Sequence, residues 1–323
     1  MKVLSLFDGI SCGQVALERA GIEVEKYFAS EIDKYSIQIT QKNYPNTIQL
    51  GNIKNIDLER LGDIDLLIGG SPCRNLSKIA TQGGSLNWKD FKEGLVGDSA
   101  LFFNFLEILR TTKPRYFLFE NVNMSEINKK IISKELGCEP TLICSSRFSA
   151  QNRKRLYWTN IPIADITGES SEVISHILED EVDEKYFYNL PIETCMSSTL
   201  YGRLIFKFNA HDIARRIFRI DSKSPTLTSC RGGNLQKKVF INGRCRKLTP
   251  LEYERLQTLP DNYTKGISDS QRYNTLGDGW TVDVIAHIFK GLKLNSEKEV
   301  KTCATKHVIP PQHECSGILP KFT

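Results

Sequence analysis

This chain of 323 residues is notable first for what it lacks. Its nine cysteines are odd in number and no two are spaced as CxxC. That argues against a disulfide framework and a zinc knuckle, and for reduced thiols. No run approaches the ~20 apolar residues that a membrane-crossing helix needs. Met1 leads straight into "KVLSLFDG", without a charged n-region, a long apolar h-region or a cleavage site. We therefore expect no secretory signal and a cytoplasmic, intracellular protein. Neither GxGxxG nor a Walker lysine occurs, and there is no internal repeat or low-complexity tract. With 40% hydrophobic and 25% charged residues, the chain is an ordinary globular protein, long enough for one large domain and a smaller companion.

Charge is unevenly spread. Residues 201–250 carry twelve Lys or Arg against Asp212 and Asp221, a net +10. Residues 161–200 carry only Lys185 against nine carboxylates, a net −8. The basic stretch is interleaved with Tyr201, Phe206, Phe208 and Phe218. Either a solvated face or a polyanion-binding surface follows from that pattern.

The first half alternates strand-like and helix-like segments. "KVLSLFD", "VEKYFASE", "DIDLLIGG", "RYFLFEN" and "RLYWTNIP" read as strands. "GQVALERAG", stopped by Gly21, "KYSIQITQKNY", ended before Pro45, and "SALFFNFLEILRTT" read as helices. Such alternation predicts βαβ units and a mostly parallel sheet with helices on both faces. Near residue 161 the rhythm fails. "SEVISHILEDEVDEKYFYNLP" reads as an acidic helix or linker, and short basic β-like pieces follow to about residue 245. "TPLEYERLQTLP" is predicted to be a helix capped by Thr249 with Pro250 in its first turn. "TVDVIAHIFKGL" puts Val282, Ile285, Phe289 and Leu292 on one helical face, which should pack back on the first domain. The polar tail from about Lys301 holds Cys303, His307, His313 and Cys315, but its closing H-x-C is too tight for zinc.

Four motifs carry chemistry. In "LSLFDGISCGQVALERAG" a turn with Gly9 and Gly13 joins a strand to a helix whose first N–H groups are available to a ligand. Glu31, about twenty residues on, ends the second strand, where a carboxylate can take a ribose. Without a phosphate-binding lysine, an adenosyl ligand lacking phosphates, S-adenosylmethionine, fits better than ATP. In "GGSPCRN" the proline stiffens the exit from a strand and places Cys73 in a polar loop at the ligand crevice, a poor site for a packing cysteine. "RYFLFENV" brings Glu120 to another strand end, where burial favours a protonated carboxyl. "QNRKR" sets Arg153 and Arg155 two apart, on one side of an extended segment.

The order "FDGISCG", "SE", "GGSPC", "ENV", "QNRKR", "SPTLT" and "LGDGWTVDVIAHIF" resembles the DNA cytosine-5 methyltransferases over residues 2 to about 293. Within that family it looks closest to the de novo branch of vertebrates and to related phage and bacterial enzymes. The resemblance implies an α/β fold: a Rossmann-like sheet of S-adenosylmethionine-dependent methyltransferase type with a small β-rich target-recognition domain. Residues 1–160 and 266–300 would form the catalytic, cofactor-binding domain. Residues 161–265 would be the acidic linker and the basic recognition region, and 301–323 a flexible tail. Cys73 would attack carbon 6 of a cytosine flipped out of duplex DNA, Glu120 would engage ring nitrogen 3, Arg155 the base oxygen, and Arg153 would support them. S-adenosylmethionine would lie against Phe7, Asp8, Gly9, Ile10, Ser11, Cys12 and Gly13. Glu31 would hold its ribose, Ile32 would face the adenine with Asn52 and Ile53 beside it, and Pro72 and Trp280 would close the pocket. No membrane partner is implied, and both monomer and homodimer stay open.

Departures accompany the match. Ser11 stands at the family's second turn glycine, and Asn52 where an acidic residue is common. The variable region before "SPTLT" is short, which predicts a short or relaxed target sequence. Two alternatives remain: the tRNA-methylating branch, whose Cys-Phe-Thr tripeptide is missing here, and a non-catalytic DNA-binding accessory protein.

Overall fold

The structure, a computed structural model, describes residues 1–71, 101–207, 210–230 and 234–293. Pro72, Cys73 and the tail with its Cys and His residues lie outside the described residues.

The strands and helices expected of the first half form in order, joined by a helix over 126–136 and three short strands, over 48–49, 141–144 and 151–152, that the sequence reading did not name. β1 (Lys2–Leu6), α1 (Cys12–Ala20), β2 (Lys26–Ser30), α2 (Lys34–Asn43), β3 (Ile48–Gln49) and β4 (Leu66–Gly69) come first. α3 (Leu101–Thr112), β5 (Tyr116–Val122), α4 (Glu126–Leu136), β6 (Thr141–Cys144), β7 (Gln151–Asn152) and β8 (Lys154–Thr159) follow. Seven of these strands form one sheet in the order β3-β2-β1-β4-β5-β8-β6. β8 runs antiparallel to both its neighbours, and the other pairs are parallel. The chain winds outward from β1 in one direction and resumes at β4 in the other. A crevice therefore opens past the carboxyl ends of β1 and β4, where such sheets take their ligands.

Strand alternation assigns the two faces. Val3, Leu66, Ile68, Tyr116, Leu118 and Tyr157 pack in one core cluster. Leu4, Leu6, Leu67, Phe117, Phe119, Leu156 and Trp158 pack in the other, under Phe102 and Phe105 of α3 and Ile132 of α4. The period of two then fixes where the chemistry goes: Glu120 follows Tyr116 and Leu118 on the first face, and Arg155 shares that face with Tyr157. The same face is covered by α1 and by three later helices, α6 (Pro250–Leu256), α7 (Asp269–Asp278) and α8 (Val282–Phe289), numbered after a short α5 (Asp212–Arg215). α8 buries Val282, Val284, Ile285, Ile288 and Phe289, each worth roughly 1.5–3 kcal/mol relative to exposure. It returns to the first domain as its spacing predicted, and Asp283 on its outer side pairs with Arg19 of α1 at 2.7 Å. Among the described residues no helix is long and apolar enough to cross a membrane.

A second sheet is built from β9 (Phe187–Tyr188), β10 (Ile192–Thr194), β11 (Leu200–Leu204), β12 (Arg216–Phe218), β14 (Lys238–Ile241) and β15 (Arg244–Lys247). Its order is β10-β11-β12-β14-β15-β9, around a small core of Leu204, Ile217 and Cys245. β13 (Ser224–Pro225) instead pairs with β7. Three expectations change here. Of the two readings of the acidic segment, helix or linker, the helix does not form: the segment makes two 3-10 turns, Ile174–Ile177 and Glu184–Tyr186, docked through Ile174, Ile177 and Tyr186 on the main core. The small sheet exceeds the short interval before "SPTLT", because β14 and β15, which come after it, complete it. Residues 248–263, grouped with the recognition region by sequence, place Leu248, Tyr253, Leu256, Leu259 and Tyr263 in the cluster that holds β1.

α6 begins as predicted, with Thr249 and Glu252 in a reciprocal capping box. Glu252 also pairs with Arg246 at 2.6 Å, the two side chains 0% and 2% exposed. At the end of α7, chain crossing is tight enough to forbid a side chain. A Cβ on Gly277 would stand 2.2 Å from the carbonyl carbon of Thr228. Backbone cannot yield as a flexible side chain can, so Gly277→Ala is expected to cost about 3 kcal/mol or more. A lowered urea midpoint with unchanged slope would confirm it, and an unaltered midpoint would contradict it.

Candidate active site

The turn after β1 has an unusual backbone. Phe7, Gly9 and Ser11 all have positive φ, at 57°, 59° and 58°. Only glycine takes that region without strain, so two non-glycine residues are held there by their surroundings. The Asp8 carboxyl supplies much of the hold: Ser11 Oγ donates to Oδ2, and Tyr27 Oη to Oδ1 at 2.8 Å. Gln14 of α1 donates to both Ser11 Oγ at 3.1 Å and Thr47 Oγ1 at 2.8 Å. From β2, Glu31 completes the frame. Its Oε2 accepts the Gly9 N–H at 2.8 Å, and its Oε1 accepts those of Ile32 and Asp33 at 2.7 and 2.8 Å.

The expected cofactor residues divide by environment. Ile10, Ser11 and Cys12 are buried under the turn, and burial pushes the Cys12 thiol up to about 12. They shape the loop from beneath. Gly13 lets α1 lie close: a Cβ there would be 2.6 Å from Ile68 Cδ1. Ile32, immediately after Glu31, is 73% exposed, an apolar side chain with open space above it. Asn52 is exposed, its Oδ1 accepting the Lys54 N–H at 3.0 Å, whereas Ile53 is buried in the second core cluster.

At the ends of β4 and β5 a second group assembles. Glu120 lies opposite Tyr157 in the β5–β8 register, which puts Arg155 diagonally across from it. Arg155 Nε meets Glu120 Oε1 at 2.9 Å, both side chains largely buried. Trp280, from the link between α7 and α8, donates its indole N–H to Glu120 Oε2 at 3.1 Å. Asn121 reaches back to Ser71, donating to its carbonyl and hydroxyl at 3.4 Å each. Ser71 is the last described residue of this segment and stands two before Cys73 in the sequence.

Arg153 faces elsewhere than its neighbour. Its buried guanidinium donates to the carbonyls of Leu227 at 2.8 Å, Gly277 at 3.3 Å and Gly279 at 3.0 Å. Burial, with Arg155 nearby, lowers its pKa to about 10. Gln151 acts alongside it, giving its amide N–H groups to Leu256 O and Gln257 Oε1 at 3.1 Å and accepting the Leu227 N–H at 2.8 Å. Gln257 in turn donates to Leu276 O and Gly279 O, at 2.7 and 3.0 Å. Sequence reasoning singled out neither glutamine. Gln151 lay inside a quoted motif, but only its partners show that it is a buried connector.

Many cations of the basic segment have partners within the protein. Arg203 and Arg216 share Asp212, Arg219 pairs with Asp221, Arg244 with Glu184 and Arg246 with Glu252. Lys223 Nζ donates to three carbonyls, and Lys237 and Lys238 are buried, Lys238 with its pKa lowered by desolvation to about 8. Asp212 and Asp221 are already counted in the net +10, so of these pairs only those to Glu184 and Glu252 offset it further.

The family description for C-5 cytosine-specific DNA methylases matches residues 1–294. The chain belongs to that family. Its class of activity is cytosine methylation of DNA. Type II methyltransferase M1.ScrFI of Lactococcus lactis subsp. cremoris is 28% identical over 324 residues, covering 93% of this chain and 80% of its own. Orphan methyltransferase M.SPBetaI of Bacillus phage SPbeta is 25% identical over 93% of this chain and 99% of its own. Among solved structures, a Spodoptera frugiperda DNMT2 mutant superposes with a TM-score of 0.64 at 20% identity, covering 90% of this chain and 99% of that one. A putative DNA modification methyltransferase of an Escherichia coli prophage gives 0.62 at 18% identity, covering 91% and 98%. At such identities these two structures show a shared fold.

Asp8 makes the turn titratable. Although the residue keeps partial exposure, burial of its carboxyl raises the pKa from the usual 3.8 to about 6. A raised carboxyl pKa means that the folded protein holds this proton more tightly than the unfolded chain does. Stability therefore falls as pH rises from about 4 to 6 and levels off above. Asp8→Asn should remove that slope, gaining about 3 kcal/mol on the wild type across the window, as read from urea midpoints. A difference between the two proteins that is independent of pH would show the carboxyl to be solvated.

Proposed function

We propose that the crevice past β1 and β4 binds S-adenosylmethionine and that Cys73 forms a covalent adduct with a flipped cytosine of duplex DNA. The observation that carries this reading is the Arg155–Glu120 pair at the end of β5, tied through Asn121 to Ser71, two residues before Cys73. The turn and its surroundings fit the cofactor: a backbone bent by three positive φ values, a carboxylate fixed by three N–H groups, and an exposed isoleucine next to it. In the proposed arrangement the Phe7–Gly13 turn takes the methionine part, Glu31 the ribose and Ile32 the adenine face. Asn52 and Ile53 line the far side, with Pro72 and Trp280 at the opening. When bound, S-adenosylmethionine supplies an electrophilic methyl group on a sulfonium.

The chain's own groups act on the base. A thiolate at Cys73 adds to carbon 6, and Glu120 delivers a proton or hydrogen bond to nitrogen 3, so that electron density collects at carbon 5. Arg155, at 2.9 Å from Glu120, orients the acid and is placed to meet the base oxygen. Arg153 holds the link that carries Trp280, and so supports Glu120, through the carbonyls of Leu227, Gly277 and Gly279. After methylation the carbon 5 proton passes to a water molecule, the carbon 6–sulfur bond breaks, and the thiolate leaves the product. A stacked base cannot meet a thiol in this way, so the cytosine must leave the helix, at a cost of a few kcal/mol.

Purified protein with S-adenosylmethionine and duplex DNA carrying 5-fluorocytosine should yield a covalent complex that denaturation does not separate, because a methylated carbon 5 that bears fluorine has no proton to lose. Cys73→Ser should abolish both this complex and methyl transfer, while DNA and cofactor affinity stay within about threefold. Turnover by the serine variant would rule out the nucleophile. Methylation of tRNA in preference to duplex DNA would move the substrate to the related branch.

A further inference from the structure

Trp280 stands where three segments of the chain converge. Its indole Nε1 is 3.1 Å from Glu120 Oε2. Both atoms press on Gly70 at the end of β4: a Cβ there would be 2.7 Å from Oε2 and 3.2 Å from Nε1. The far edge of the ring, at Cζ3, is 3.9 Å from the point a Cβ would take on Gly13, in the first turn of α1. One rigid ring thus reaches from the turn after β1 to the carboxyl group at the end of β5.

We propose that Trp280 is a positioning residue for Glu120, beyond any part it plays as a wall of the cofactor pocket. This inference rests on the reading of Glu120 as the group that meets nitrogen 3. The terminal torsion of a glutamate side chain is broad, so one contact to a long arginine leaves the carboxyl plane free to rock. An indole N–H can only donate, and it sits on a ring with no internal freedom. With Arg155 on Oε1 and Trp280 on Oε2, the plane is fixed from both sides. An oxygen that accepts from the indole keeps a second lone pair, which can carry the proton that Glu120 gives to nitrogen 3. Gly70 belongs to the same device, because any side chain there would push the indole and the carboxyl apart.

The test separates the N–H from the ring. Trp280→Phe keeps an aromatic body near Gly13 and loses the donor; benzothienylalanine incorporated at position 280 keeps nearly the whole shape and loses only the donor. Three quantities are measured: the Kd for S-adenosylhomocysteine, the kcat for methyl transfer, and the exchange of the cytosine carbon 5 hydrogen with solvent in the absence of methyl donor. Exchange requires attack and engagement of nitrogen 3 but no cofactor. Loss of a hydrogen bond to a charged group predicts that exchange and kcat fall together by about tenfold or more, with Kd changed less than about twofold. In a Glu120→Gln background the same replacement should add little further loss, because the two residues act as one unit. A weakened Kd with exchange at the wild-type rate would overturn the proposal and leave Trp280 as a pocket wall only. Wild-type rates in the benzothienylalanine protein would overturn it as well, even if the Phe variant fails to fold. A wild-type protein that neither exchanges nor methylates cytosine would overturn the reading of the site, and this inference with it.

Discussion

One buried cation holds the active-site face together. The Arg153 guanidinium is removed from water, which costs several kcal/mol unless its donors are matched. They are matched by carbonyls of Leu227, Gly277 and Gly279, three backbone groups from two distant stretches of the chain. Because carbonyls carry no net charge, the arrangement depends on direction: each oxygen must point at the fork. That requirement places the α7–α8 link against β8, and the link carries Trp280 to Glu120. Gln151 and Gln257 extend the same net, so a buried polar network, fully connected, does what apolar packing would do less selectively.

Close approach is the other constraint. Around the crevice the elements come together only where side chains are missing. Gly13 admits Ile68 and the edge of Trp280, Gly70 admits Glu120 and the indole N–H, and Gly277 admits the backbone at Thr228. Each contact is of a different kind, apolar, polar and backbone, yet all narrow the same face of the sheet. The strained turn from Phe7 to Ser11 adds to this, held in place by Asp8, Tyr27 and Glu31 rather than by glycine alone.

The small sheet illustrates how charge in a sequence differs from charge on a surface. Arg246 is consumed by Glu252 in the core, Arg244 by Glu184 of the acidic segment, and Arg203 and Arg216 by one aspartate between them. The acidic and basic stretches, of opposite net charge, are in part partners of each other.

The five longer strands of the first half, five of the eight α-helices among the described residues and the chemical motifs were legible in the sequence, because each depends on local rules. Alternation marked β1, β4 and β5, a capping threonine and a proline marked α6, and a heptad-like apolar face marked α8. The motifs FDGISCG, ENV and QNRKR named Asp8, Glu120 and Arg155 before any contact was known. Pattern could not show that Arg153 turns to carbonyls while Arg155 turns to Glu120, or that Gln151 is a connector, since side chains two apart share a side without sharing a partner. Nor could it show that the acidic segment docks by Ile174 and Ile177, or that residues 248–263 join the core of β1. Sequence determined which groups this protein owns and the strand ends that carry them, because periodicity and turn chemistry act over a few residues. Only the tertiary structure decided which groups meet, because that is settled by segments more than a hundred residues apart competing for the same buried space.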